Sequence, residues 1–225
     1  MAKPKKVSAS SSATPRTRLE KINDKLIKLG LRSDMDLVLH LPMRYEDETQ
    51  VFSIRQAAMM SSSAQVEGVV TSCEVQFRPR RQLVVTITDD SSQLVMRFLN
   101  FYGSQTKQLA EGTRVRARGE VRQGFFGAEM VHPIYKVILE GAPLSTVLTP
   151  VYPAGEGLSQ AVLRKLISDA MARIHWHDTL SEQLRTSLKL SAFEPCVRLL
   201  HNPPPDIDEG ALEDRSHPAW VRMKF

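Results

Sequence analysis

Cysteine is nearly absent from this chain. Cys73 and Cys196 are its only two, too few and too far apart in 225 residues for a disulfide framework or a C-x-x-C zinc site. An intracellular protein with free thiols is therefore expected. Long hydrophobic runs are missing as well. None approaches the roughly 20 apolar residues that cross a bilayer, and the N-terminus lacks the apolar middle of a secretory signal. No glycine is followed by lysine, so the phosphate-cradling G-x-x-x-x-G-K-[ST] loop is absent, and with it the expected means of hydrolysing ATP. There is no nucleophile elbow. His175 and His177 in "HWH" have no third ligand near them in sequence and read as a polar helix end. Glu46, Asp47 and Glu48 in "YEDE" read as clustered surface acids serving solubility or loop ion pairs. With no catalytic constellation, the chain is expected to be neither an enzyme nor the carrier of a cofactor or metal of its own.

What is present has a clear order. Residues 1–15, "MAKPKKVSASSSATP", have no acid and almost no apolar bulk, and are expected to form a disordered basic tail. Leu19, Ile22, Leu26 and Leu29 recur at helical spacing, with Gly30 as the C-cap. Ser33 opens a second helix over "DMDLVLHL" that Pro42 ends, completing an N-terminal helical segment over 16–50. From 51 to 140 the chain turns β-rich, in five runs separated by Ser, Asp, Gly and Pro. They are "QVEGVVTSCEVQF", "LVVTITD", "QLVMRFLNF", "TRVRARGEVRQ" and "AEMVHPIYKVIL", with the helix-like "YGSQTKQLAEG" between the third and fourth. Five strands with a helix in that place predict an OB-fold barrel, and the chain as a whole an α+β protein. Residues 141–225 read as an extended, proline-interrupted linker followed by helices. One helix starts at Ser159, another at the capping-box spacing of Ser191 and Glu194, and a short one lies in "HPAWVRMKF".

The net charge of +5 permits a polyanion partner, and the distribution of cations says more than their total. In "TRVRARGEVR", Arg114, Arg116 and Arg118 fall at period two. They are expected on one face of a strand, with Val115, Ala117 and Val121 on the other. Arg78, Arg80 and Arg81 crowd the loop between the first two strands, and Arg122 leads into "RQGFFGAE", a hairpin that carries Phe125 and Phe126. Arg97 is embedded in "LVMRFLNFYG" beside Leu99, Phe101 and Tyr102. Cations for phosphates and apolar or aromatic groups for bases are what a nucleic-acid surface requires. These eight arginines are the candidate phosphate contacts. Leu99, Phe101, Tyr102, Phe125 and Phe126 are the candidate stacking or wedging groups.

Four stretches carry a family resemblance: "LGLRSDMDLVLHLPMRYEDET", "DDSSQLVMRFLNF", "GEVRQGFFGAEMVHPIY" and "TPVYPAGEGLSQAVLRKLI". They resemble the N-terminal wedge region of RecG, a family of bacterial ATP-dependent branch-migration helicases. "LHNPPPD" and "HPAWVRMKF" resemble the segment that joins the wedge to the motor, so the resemblance covers roughly residues 19–225. It implies an OB-fold that grips branched DNA, such as forks and Holliday junctions, while downstream domains using ATP and Mg pull the arms. It further implies roles in fork reversal and recombinational repair, a monomer acting on the bacterial nucleoid in the cytoplasm, and the single-stranded DNA-binding protein as a partner. The chain stops where the family continues into its ATPase, so a fragment without the motor is expected. By the same resemblance the family's third-strand stacking aromatic falls at Leu99. Two other readings stay open. One is a protein-interaction barrel that takes a proline-rich tail of the single-stranded DNA-binding protein. The other is a general single-strand binder.

Overall fold

The computed structural model describes residues 17–60, 63–78, 80–124 and 127–225. The basic tail, Phe125 and Phe126 lie outside the described residues. In chain order the elements are α1 (Arg18–Lys28), α2 (Asp34–Val38), β1 (Arg44–Glu46), α3 (Ile54–Ala57), β2 (Ser63–Gln76), β3 (Gln82–Thr88) and β4 (Gln93–Phe98). There follow α4 (Gly103–Gln108), β5 (Arg114–Glu120), β6 (Arg122–Gly124), β7 (Gly127–Val131), β8 (Ile134–Val137) and β9 (Thr149–Val151). The chain closes with α5 (Gln160–Arg173), α6 (Glu182–Ser187), α7 (Phe193–His201), α8 (Glu209–Glu213) and α9 (Pro218–Arg222). Among the described residues no helix is long and apolar enough to cross a membrane, and no cluster of three His, Cys, Asp or Glu could hold a metal ion.

Two compact units emerge. One gathers the chain up to Tyr45 with Pro150–Pro203 and Asp208–Phe225; the other is Glu46–Thr149 with Pro204–Ile207. In the helical unit, α1 opens on a capping box in which Thr17 accepts from the Glu20 backbone and Glu20 returns the bond to Thr17. α2 opens on the same device between Ser33 and Asp36. Leu26, Leu37 and Val38 meet Leu163, Ile167, Ala170 and Val197 in one core. Three expectations are corrected here. Leu19 faces solvent rather than the core. α2 stops at Val38, capped by Leu39, well before Pro42. α7 is capped at Ala192, not Ser191, and the N–H of Phe193 is taken instead by the Asp178 carboxylate at 2.9 Å. Burial would raise the Asp178 carboxyl, but the backbone donors Phe193 and Leu180 and the Arg222 guanidinium outweigh it and hold it below the ordinary range.

The second unit is a seven-stranded sheet in the order β6-β7-β4-β3-β2-β5-β8. Neighbours pair antiparallel except β4 and β7, which run parallel, and α4 lies between the third and fourth runs as predicted. Two of the five expected strands are each broken in two. Val121 separates β5 from β6. The last run breaks at His132 and Pro133, because proline has no N–H for a ladder and His132 takes a left-handed φ of 51°. The break has a purpose in the topology. β7 lies beside β4 and β8 beside β5, so one chain segment joins the two sides of the sheet and curls it into a barrel. Leu83, Val85, Ile87, Leu94, Met96, Val115 and Met130 fill the interior. At Gly68 the paired strands approach so closely that a Cβ would sit 2.8 Å from the Thr88 carbonyl oxygen. Gly68→Ala is therefore expected to cost about 1–3 kcal/mol, read as an earlier urea midpoint.

Candidate nucleic-acid interface

The β5 arginines do share one face, while Val115 and Ala117 are fully buried on the other. They do not form a free cationic row, however. Arg116 is only 9% exposed. Its Nε donates to Glu67 Oε1 at 2.7 Å, and its terminal nitrogens donate to the carbonyls of Pro143 (3.0 Å) and Ala142 (2.8 Å). Arg118 pairs with Glu46 and lies 3.7 Å from Glu48, which also binds Lys136 at 3.0 Å. Arg114 has the loosest partner, Glu140, 3.8 Å away and itself exposed. Glu67 is the cross-strand partner of Arg116, and Glu46 and Glu48 come from the segment before α3. The row is thus interleaved with carboxylates, which removes the like-charge repulsion of a bare ladder. These pairs staple the chain segments on either side of the barrel to β5.

Arg97 has a similar explanation. Its Nε donates to Glu129 Oε2 at 2.8 Å on the parallel neighbour β7, so a cation among apolar groups is satisfied within the sheet. Arg122 pairs with Glu120 at 2.8 Å on the surface; hydrogen bonding to that carboxylate raises the arginine's affinity for its proton and lowers that of Glu120.

The open end of the barrel is different. β4 ends at Phe98, which is buried with its ring edge-on to His132 and Tyr135. Beyond it the chain bends, and strict alternation stops. Phe101 therefore does not stand on an outer strand face beside Arg97. It packs partly against the core, with the Arg81 guanidinium 4.3 Å above its ring centroid. Arg81, Leu99, Asn100, Phe101 and Tyr102 line a cavity of about 390 Å³. Tyr102 stands 80% exposed at the start of α4. Arg78 and Arg80 are exposed and make no ion pair among the described residues. Arg78, Arg80, Arg81, Leu99, Phe101 and Tyr102 thus lie in two loops at the same end, whereas the β5 row is engaged elsewhere.

One residue of this end escapes a sequence reading. Phe77 closes the run "CEVQF" and reads as the last residue of a strand, yet it is 70% exposed. The signal is a change of phase. Val66 and Val70 are buried at even positions, a bulge falls between Val70 and Ser72, and the apolar residues then move to odd positions at Cys73, Val75 and Phe77.

The family model of the RecG wedge domain matches residues 17–174. The ATP-dependent DNA helicase RecG of Pasteurella multocida is 40% identical over 208 residues, covering 91% of this chain and 30% of that protein. The same helicase from Escherichia coli K12 is 41% identical, covering 90% of this chain and 29% of that protein. The chain thus spans under a third of the length of these relatives. Among solved structures, one described as RecG bound to a three-way DNA junction superposes with a TM-score of 0.66 at 20% identity, covering 96% of this chain and 30% of that one. At that identity the likeness speaks to the fold.

Proposed function

This chain belongs to the RecG wedge domain family, and from that premise we propose that it is a DNA-junction-binding module of a branch-migrating helicase active in fork reversal and recombinational repair. The observation that carries the reading is the open end of the barrel. Arg78 and Arg80, without carboxylate partners among the described residues, stand there beside the Leu99–Tyr102 cavity and the exposed Tyr102 ring. Phosphates are attracted by the first and unpaired bases by the second. The relative solved with a three-way junction supports the choice of branched DNA over linear DNA. ATP and Mg belong to the motor that the longer relatives carry, and this chain supplies grip and separation as a monomer on the bacterial nucleoid. Among the β5 arginines, Arg114 is the one whose weak partner leaves it able to exchange a carboxylate for a phosphate.

The test is a titration of the chain against a three-way fork, a linear duplex and a single strand of the same sequence at physiological salt. The fork is expected to bind tightest, by about tenfold or more over the duplex, since one or two stacked bases are worth about 1–3 kcal/mol each. Arg78→Gln with Arg80→Gln should weaken every DNA alike and flatten the slope of log K against log salt by about 0.7–0.9 per lost contact. Equal binding of fork and duplex would sink the reading. Weak salt dependence would move the chain towards a protein-interaction barrel that accepts a proline-rich tail.

A further inference from the structure

The helical unit holds a cavity that plays no part in the proposed DNA interface. It measures about 420 Å³, within the range of pockets that take small molecules. Six apolar side chains line it, among them Met35 and Leu39 at α2, Phe193 of α7, and Met223 and Phe225 just past α9. The polar ones are His177, Thr179 and Arg222, and no carboxylate lines it among the described residues. Arg222 is the informative member. Its side chain is only 3% exposed, yet it carries a permanent charge. The guanidinium lies 5.5 Å from the centre of the Phe193 ring, so it stands at the cavity wall. A terminal nitrogen donates to Asp178 Oδ1 at 2.7 Å. Asp178 is already crowded, however. Its two oxygens also accept from the N–H groups of Leu180 and Phe193, and the Arg185 guanidinium stands 3.6 Å away. One carboxylate therefore serves two guanidiniums, and these three side chains carry one surplus positive charge. The Nε of Arg185 and the Nε of Arg222 are both buried with no hydrogen-bond partner among the described residues. A buried, charged donor without an acceptor is costly, and here the shortage of acceptors borders an apolar chamber.

We propose that this cavity is a binding site for a small monocarboxylate with an apolar body, of the medium-chain fatty-acid class. The carboxylate supplies the second anion that the Asp178, Arg185 and Arg222 cluster lacks, and it meets the cluster at Arg222. The apolar body lies against the methionine, leucine and phenylalanine walls. Two methionines on the lining suit such a ligand, because their unbranched thioethers adapt to the shape of a flexible tail. An alcohol of the same length brings the body without the charge, and an amine brings the wrong charge. Affinity therefore falls in the order acid, alcohol, amine.

The experiment titrates the chain, with isotope-labelled methionine methyls, against octanoate, octanol and octylamine, each at neutral pH and below its micelle concentration. Octanoate is expected to shift the methyl signals of Met35 and Met223 and to saturate. It should bind about tenfold or more tighter than octanol, because hydrogen bonds between two ionised groups are the strong ones, and octylamine should bind weakest. Met35→Trp should abolish the binding of both octanoate and octanol by filling the cavity. Met35 is 39% exposed, so this variant leaves the core intact. Arg222→Gln, checked for a cooperative urea transition, should reduce octanoate to the affinity of octanol. If Arg222→Gln does not fold, the ligand series and Met35→Trp decide the matter without it. Methyl signals that do not move with octanoate would overturn the proposal. So would octanol binding as tightly as octanoate, which would make the cavity a purely apolar docking face, and so would octanoate binding that survives Met35→Trp unchanged.

Discussion

Arg116→Ala is expected to destabilise the barrel by about 3–5 kcal/mol, the cost of removing one partner from a buried ion pair. The substitution strips Glu67 of its cation and the Ala142 and Pro143 carbonyls of their donors in one step. It also opens the face of β5 that the arginine stem covers. Amide exchange of β2 and β5 is the appropriate measurement, because the tryptophans belong to the other unit. Exchange there should accelerate by two orders of magnitude or more, on the basis of about 1.4 kcal/mol per factor of ten. The salt slope of DNA binding, measured where the variant is still folded, should stay unchanged. Replacing Glu67 and Arg116 together by apolar residues should recover much of the loss. A cost under about 1 kcal/mol would put Arg116 with the ion pairs of solvent-exposed surfaces, whose worth is small.

The second large effect belongs to the helical unit. His201 is buried on α7, between α2 and the segment after β9. Its Nε2 lies 2.8 Å from the Val38 carbonyl, which can only accept, so that nitrogen carries the proton. Nδ1 then accepts from the Tyr152 hydroxyl, also at 2.8 Å. His201→Ala would leave a cavity and two buried groups without partners, and a loss of about 2–5 kcal/mol is expected in urea unfolding followed by Trp176 and Trp220 fluorescence. The same residue sets a dependence on pH. Burial lowers its pKa below the ordinary 6.5, and the nearby His40 adds to this against the Val38 hydrogen bond. The unfolded chain therefore takes up the proton first. The stability that His201 lends is present above its unfolded pKa and is lost as pH falls through about 6.5 towards the folded value. His201→Phe should remove the part of the fall between about pH 7.5 and about pH 5.5 that the parent shows beyond its carboxylates. An identical fall in both proteins would mean that another group governs the acid limb.

The barrel was legible in the sequence because its runs alternate and because a helix-like stretch interrupts them at one defined place. Period two also placed Arg114, Arg116 and Arg118 on one face correctly. It could not show which carboxylates share that face, since Glu46, Glu48 and Glu67 come from 49 to 72 residues earlier in the chain. A strand pattern reports direction, whereas partnership depends on what the topology folds over it. The same limit hid the role of Arg97, whose partner Glu129 arrives on a parallel strand. The surroundings of Phe77 and Phe101 were hidden from the sequence for a different reason. Alternation holds only while the ladder lasts, and a bulge precedes one of them while a strand end precedes the other. Caps showed a related pattern. Ser33 and Ser159 act through bonds three residues away and were visible, but α7 takes its cap from Asp178, fifteen residues distant.

The helical core draws on both ends of the described chain, with Leu26 and Val38 meeting Ile167 and Val197, while the barrel is made almost wholly from the residues between. On a ribosome the two would therefore mature in a fixed order. Glu46–Thr149 contains all seven strands of the barrel sheet and can close once that stretch has emerged. α1 and α2, although made first, must wait for α5 and α7 before their apolar faces have anything to cover them. The barrel is in effect an insertion nested inside a helical host. Excising Glu46–Thr149 and joining its flanks with a short linker would ask whether that host closes without its guest, and a folded, urea-cooperative product would show that the nesting is a matter of genetic order and not of mutual support.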